Sequence, residues 1–130
     1  MEIIPLEIPD VLLIKPKVFN EERGFFVETM RSSLLNKANI PKLIQHNQSR
    51  SKKGVVRGLH YQLNNPQGKL VRCSYGKIFD VAVDLRTSSL KFGNVVTAIL
   101  DDVEHNQLWI PPGFAHGFMV LSEQADCCYF

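Results

Sequence analysis

Residues Gly54 to Asp84 read GVVRGLHYQLNNPQGKLVRCSYGKIFDVAVD, and the character of the fold is set there. Three short strand-like runs are separated by turn chemistry, Asn64-Asn65-Pro66 at the first break and Gly76 at the second. Their apolar positions carry groups that a plain core would reject. His60 alternates with Val56, and Lys69 falls on the same strand side as Val71 and Cys73. An ammonium on the apolar face of a strand must be desolvated, which is costly without a partner. The pattern predicts a pocket, with the rest of the chain as its wall.

The flanking segments are also strand-like. Met1 to Phe19 alternates loosely and is interrupted by Pro5, Pro9 and Pro16, which suits edge strands or an extended arm. An arm without a hairpin partner of its own would pair with a second subunit. After the turn Asn20 to Gly24, Phe25 to Thr29 has strand composition, with Glu28 on the side of Phe26. Ser32 or Ser33 caps a short amphipathic helix over Leu34 to Ala38, which Ile40-Pro41 closes. Leu43 to Ser51 reads as a polar strand whose Gln45, Asn47 and Ser49 share one side. That arrangement suits a sugar-binding surface and equally a solvent-facing strand.

In Lys77 to Arg86 the apolar set Phe79, Val81, Val83 and Leu85 predicts a core face, leaving Asp80 and Asp84 opposite, to pair with Arg86 or Arg72. Val95 to Leu100, Gln107 to Ile110, Phe114 to Leu121 and Ala125 to Phe130 complete the series. His116 lies on the side of Phe114 and Phe118, and Tyr129 on that of Cys127. Eight or more short strands with one brief helix predict an all-β sandwich or barrel.

Size and composition allow one domain, residues 1–130, with 45% hydrophobic and 22% charged residues. A formal charge of +2 leaves no nucleic-acid footprint. The basic residues Lys15, Lys17, Arg50, Lys52 and Lys53 read as solvated surface that could help hold a phosphorylated ligand. Cys73, Cys127 and Cys128 lack metal-ligand spacing and read as buried small hydrophobes. With no signal peptide or membrane-length apolar run, a cytoplasmic setting without a membrane partner is expected.

The chemistry on offer is proton transfer. Two strand histidines raise the possibility of a metal-binding jelly roll, but His60 is followed by Tyr61 and Gln62, so no second ligand is supplied locally. A base (His60), a fixed cation (Lys69) and a phenol (Tyr129) are the parts needed to remove and return a proton beside a carbonyl. Strict alternation puts Arg57 and His60 on opposite sides, unless Gly58 marks a bulge.

The segments RGFFVE (residues 23–28), QHNQSRS (45–51), GVVRGLH (54–60), QGK (67–69), FDVAVDLR (79–86) and WIPPGFAHGF (109–118) resemble, in order and in spacing, the dTDP-4-dehydrorhamnose 3,5-epimerase family. The resemblance implies a cupin-type jelly roll and a homodimer in which N-terminal strands cross over. It implies a cofactor-free, metal-free epimerase of a dTDP-linked 4-keto-6-deoxyhexose. His60 matches the general base, Lys69 the enolate-stabilising lysine and Tyr129 the acid. Arg23, Phe26, Glu28, Gln45, Asn47, Arg57 and His116 match positions lining the sugar-nucleotide site, with Arg23 reaching into the partner's site. The resemblance also implies a continuation past Tyr129 that carries an aspartate bonded to the catalytic histidine. No residue here aligns with it, and Asp80 or Asp84 are the carboxylates left to replace it. Epimerisation at one carbon or both and a 3,4-keto shift share the same enediolate chemistry. A sugar-nucleotide binding subunit without catalysis is the alternative.

Overall fold

Alternating β-branched and aromatic residues, broken every few positions by Gly, Pro or Asn, drive most of the chain into short strands. The computed structural model describes residues 1–130. Its strands are β1 (Glu2–Pro5), β2 (Leu12–Lys15), β3 (Val18–Glu21), β4 (Gly24–Val27), β5 (Asn47–Lys52) and β6 (Val56–His60), with helix α1 (Ser32–Lys37) between β4 and β5. There follow β7 (Lys69–Tyr75), β8 (Lys77–Asp84), β9 (Val95–Asp101), β10 (Gln107–Ile110), β11 (Phe114–Val120) and β12 (Gln124–Tyr129).

Two antiparallel sheets face each other, one ordered β1-β2-β10-β7-β12-β5 and the other β6-β11-β8-β9, while β3 and β4 pair only with each other. The main core lies between the sheets. Val71 and Cys73 of β7, Leu108 of β10 and Cys127 of β12 meet Ile78 and Ala82 of β8, Leu100 of β9 and Phe118 of β11. A smaller cluster on the outer face of the six-stranded sheet packs Leu35 of α1 and Ile40 against Ile14, Leu70 and Trp109. This is the all-β sandwich expected.

Several details differ from the sequence reading. The inward face of β8 is Ile78, Asp80, Ala82 and Asp84, all completely buried, and Phe79, Val81 and Val83 form the half-buried outer face. The two buried carboxylates tolerate this because each has a cationic or imidazole partner. Asp84 takes two hydrogen bonds from the Arg86 guanidinium and one from the Ser89 hydroxyl. Those bonds, from Arg86 above all, hold its carboxyl down at about 2. Arg86 also reaches Asp10, tying the loop before β2 to the end of β8. The first strands are not an unpartnered arm, since β1 pairs with β2, and β2 with β10, inside the chain. Helix α1 is capped by neither Ser32 nor Ser33. Arg31 takes the N-cap position without a side-chain bond. The strand expected over Leu43 to Ser51 begins only at Asn47, and that expected through Thr29 ends at Val27.

The element that positions the site is the pairing of β6 with β11. His116 lies opposite His60 and Phe118 opposite Arg57, so Gly58 and Leu59 together face the single residue Gly117. One extra residue in β6 is a β-bulge, and it restores Arg57 and His60 to the same, inward side. Val56, opposite the outward Met119, is on the other face, so His60 does not alternate with it as the sequence suggested. The bulge needs glycine on both strands. A Cβ on Gly58, whose φ is +112°, would stand 2.7 Å from the Gly117 Cα, and one on Gly117 would stand 2.8 Å from the Arg57 carbonyl oxygen. Gly117→Ala is therefore expected to push β6 off β11 and to destabilise the fold by about 1–3 kcal/mol, as overpacking does. The denaturant midpoint measures the loss, and an unchanged midpoint would show that the bulge can relax.

Candidate active site

Four strands deliver the reactive side chains to one place. The bulge in β6 turns Arg57 and His60 inward, β7 opens with Lys69, β11 contributes His116 and Phe118, and β12 ends with Tyr129. These six residues line a hollow of about 90 Å³. Arg57 is held across to the opposite sheet, its Nε donating to the Ser51 hydroxyl at 2.8 Å. Tyr129 is packed against the main core. Backbone bonds exchanged in both directions by Phe130 and Leu70, at 3.0 and 3.2 Å, fix the chain beyond it.

Below the hollow lies Asp80, with no exposed surface. Its two carboxyl oxygens stand 3.0 and 2.8 Å from Nε2 of His116. Burial pushes the Asp80 carboxyl above the usual carboxylate range, while His116 and, more weakly, Lys69 pull the other way. Lys69 is half-buried, and desolvation lowers its proton affinity below that of an ordinary lysine. The negative potential of Asp80 is the main opposing influence. A cation, an imidazole and a fully buried carboxylate thus form one electrostatic unit at the base of the hollow.

Lys69 also lines two larger clefts that flank the hollow. One, of about 340 Å³, is bordered by Gln45, Asn47, Trp109, Tyr129 and Phe130. The other, of about 480 Å³, is bordered by His60, Tyr61, Gln62 and Phe114. The three spaces adjoin as one trough, with Lys69 common to all three, His60 shared by the hollow and one cleft, and Tyr129 by the hollow and the other.

Of the residues expected at the site, His60, Lys69, Tyr129, Arg57 and His116 share the hollow, and Gln45 and Asn47 lie in the adjoining cleft. Arg23, Phe26 and Glu28 do not line these spaces. Arg23 is exposed and paired with Glu21, Glu28 is paired with Arg31, and Phe26 is 66% exposed on the β3–β4 hairpin. What the sequence does not show is the partner of Asp80, which is His116 rather than an arginine. The sequence suggests arginine partners for both carboxylates of β8, and only Asp84 has one. Neither replaces an aspartate bonded to His60, because Asp80 is taken by His116 and Asp84 by Arg86. Cys127 lies close enough to Asp80 and Lys69 to feel both, but burial pushes its thiol well above the usual range, as it pushes Cys73 to about 12. Both stay protonated and act as packing groups.

Asp80→Asn keeps the shape of the floor and removes its charge. Lys69 then loses its proton at lower pH, so the alkaline limb of a pH–rate profile that depends on the Lys69 ammonium is expected to move to lower pH. A limb that stays in place would separate Asp80 from Lys69.

Comparison with known proteins gives this geometry its context. Residues 5–130 match the family model described as dTDP-4-dehydrorhamnose 3,5-epimerase. A protein of that description from Shigella flexneri is 54% identical over 132 residues, which cover 99% of this chain and 73% of the relative. Among solved structures, dTDP-6-deoxy-D-glucose-3,5-epimerase from Legionella pneumophila, in complex with dTDP-4-keto-L-rhamnose, superposes with a TM-score of 0.95 at 48% identity. It is matched over 98% of this chain and 69% of its own. The dTDP-4-dehydrorhamnose 3,5-epimerase of Sulfolobus tokodaii gives 0.93 at 51% identity, over 99% and 73%. The sandwich is therefore the cupin-type jelly roll of these enzymes, and the chain belongs to the dTDP-4-dehydrorhamnose 3,5-epimerase family.

Proposed function

We propose that this protein, as a single domain, is an isomerase that epimerises a dTDP-linked 4-keto-6-deoxyhexose by removing and returning protons on carbons beside the 4-keto group. The observation that carries the reading is the convergence of His60, Lys69 and Tyr129 on one hollow above a buried carboxylate. His60 takes the α-proton. The electron pair of the broken C–H bond moves into the carbonyl, giving an enolate whose oxygen is stabilised by the Lys69 ammonium. Tyr129 delivers a proton to the opposite face of the carbon, and the carbonyl re-forms with inverted stereochemistry. Proton count and charge balance over the cycle once Tyr129 is reprotonated and His60 discharged by solvent. Arg57 and His116 orient the sugar, and Gln45 and Asn47 hold the nucleotide part in the adjoining cleft. The bound dTDP-4-keto-L-rhamnose of the Legionella enzyme supports this choice of substrate.

The hairpin completes the reading. Phe19, Phe25 and Phe26 are half or more exposed on β3 and β4, which no other strand of the chain covers. Exposed aromatics on an unpaired hairpin suit docking to a second copy, where Arg23, Phe26 and Glu28 would line the partner's trough. Mixing Arg23→Ala and His60→Ala proteins tests this. If Arg23 acts across the interface, a statistical mixture regains about a quarter of wild-type activity through hybrid dimers with one intact site. If Arg23 serves its own site, mixing restores nothing.

Incubation with dTDP-4-keto-6-deoxyglucose in deuterated water tests the chemistry. Deuterium is expected at C3, C5 or both, as read by mass spectrometry and NMR. His60→Ala is expected to slow exchange by about 10²–10⁴-fold, and Lys69→Met by about 10²–10³-fold. Tight nucleotide-sugar binding without any exchange would overturn the enzymatic reading in favour of a binding subunit.

A further inference from the structure

Between β9 and β10 the chain makes a tight turn. The Asp101 carboxylate accepts from the backbone N–H groups of Val103 and Glu104 at 3.1 and 2.8 Å, and the His105 N–H donates to the Asp101 carbonyl at 3.2 Å. His105 has a left-handed backbone, φ 55°. Its side chain is 1% exposed, yet neither ring nitrogen has a hydrogen-bond partner. The hairpin packs against it, the Phe25 ring lying 4.5 Å from the imidazole between centroids. Two residues further on, Gln107 donates from Nε2 to the carbonyl of Thr29, just past the hairpin, at 2.6 Å. The Gln107 Oε1 and the Nε of Arg72, its neighbour across the β10–β7 register, are buried without partners. These contacts fasten the hairpin to the six-stranded sheet at a place where the imidazole has no hydrogen-bond partner to support a charge.

We propose that His105 is a positioning residue that holds the β3–β4 hairpin only while its imidazole is neutral, so that acid loosens the segment bearing Arg23 and Phe26. The charges facing the ring are Arg72 from β7, which opposes protonation, and Asp101 and Asp102 from its own turn, which favour it. From the hairpin, the Phe25 ring packs against the imidazole. The hairpin's own charges, Glu21, Glu22 and Arg23, lie exposed at the tip. Burial outweighs the two aspartates and lowers the proton affinity of His105. Freed from Phe25, the imidazole regains the proton affinity of an ordinary histidine. The sign follows from linkage. The docked hairpin excludes a proton that the released one binds, so docking is full above about pH 6.5 and weakens as pH falls below it, by at most about tenfold per unit. The consequence at the sugar site rests on the function proposed above, whereas the release of the hairpin does not.

Amide hydrogen exchange on the full chain between pH 8 and 5, corrected for the intrinsic rate at each pH, reads the release directly. Protection of residues 18–27 is expected to fall below pH 6.5 while β8 and β11 keep theirs. In His105→Phe, which packs against Phe25 but cannot titrate, the hairpin profile is expected to be flat. His105→Gln gives the same flat profile if phenylalanine proves too bulky to fold. Hairpin protection equal at pH 5 and 8, or an equal fall in the non-titrating variants, overturns the proposal. With nucleotide sugar, KM is expected to rise toward acid in the unmodified protein and not in His105→Phe. An equal rise in both would overturn the positioning role. If no substrate is turned over at all, the exchange profile still decides the release.

Discussion

A carboxylate with no exposed surface cannot stand alone, and Asp80 makes the interior of this sandwich answer to that constraint. Its oxygens hold Nε2 of His116, and its potential offsets part of the desolvation that Lys69 suffers at the head of β7. Without that charge, a half-buried ammonium among Cys127, Tyr129 and Phe118 would be poorly supported. With it, the middle of the sandwich can be polar without collapsing. A hollow therefore survives where other parts of the same layer are filled by Ile78, Val71 and Leu108.

The second constraint is the bulge. A regular β6 would have shown His60 and Arg57 to opposite sides, dividing imidazole and guanidinium between trough and outer surface. The extra residue at Gly58–Leu59, possible only because Gly117 lets the two backbones approach, brings both inward. The glycines thus act on chemistry by setting which way other residues face.

How much of this could be read beforehand depended on regularity. β7 follows period two without interruption, so the sequence puts Lys69, Val71 and Cys73 on one face, and the lysine there marks the pocket that the structure shows. The inward face of β8 was misassigned because apolar residues occupy its outer side as well. Hydrophobicity marks the interior only where the interior is a plain core, and here it holds Asp80 and Asp84. The in-chain pairing of β1 and β2 was hidden because prolines in this stretch fit an arm and an edge hairpin equally well. The family resemblance implies Arg57, His116, Gln45 and Asn47 as site residues, and in the structure they lie around the trough. The motifs are silent about His105, which packs against Phe25 of a hairpin 80 residues earlier in the sequence.

The polar hollow depends on the electrostatic state of one side chain, Lys69. Titration of the Lys69 Nζ by ¹⁵N-detected NMR in the unmodified protein measures it directly. A midpoint below the ordinary lysine value of 10.5, with the ammonium still charged at neutral pH, is what a half-buried cation supported by Asp80 requires. A midpoint at or above that value would mean that Lys69 sits in water or in a simple surface ion pair, and that no desolvated hollow exists around it.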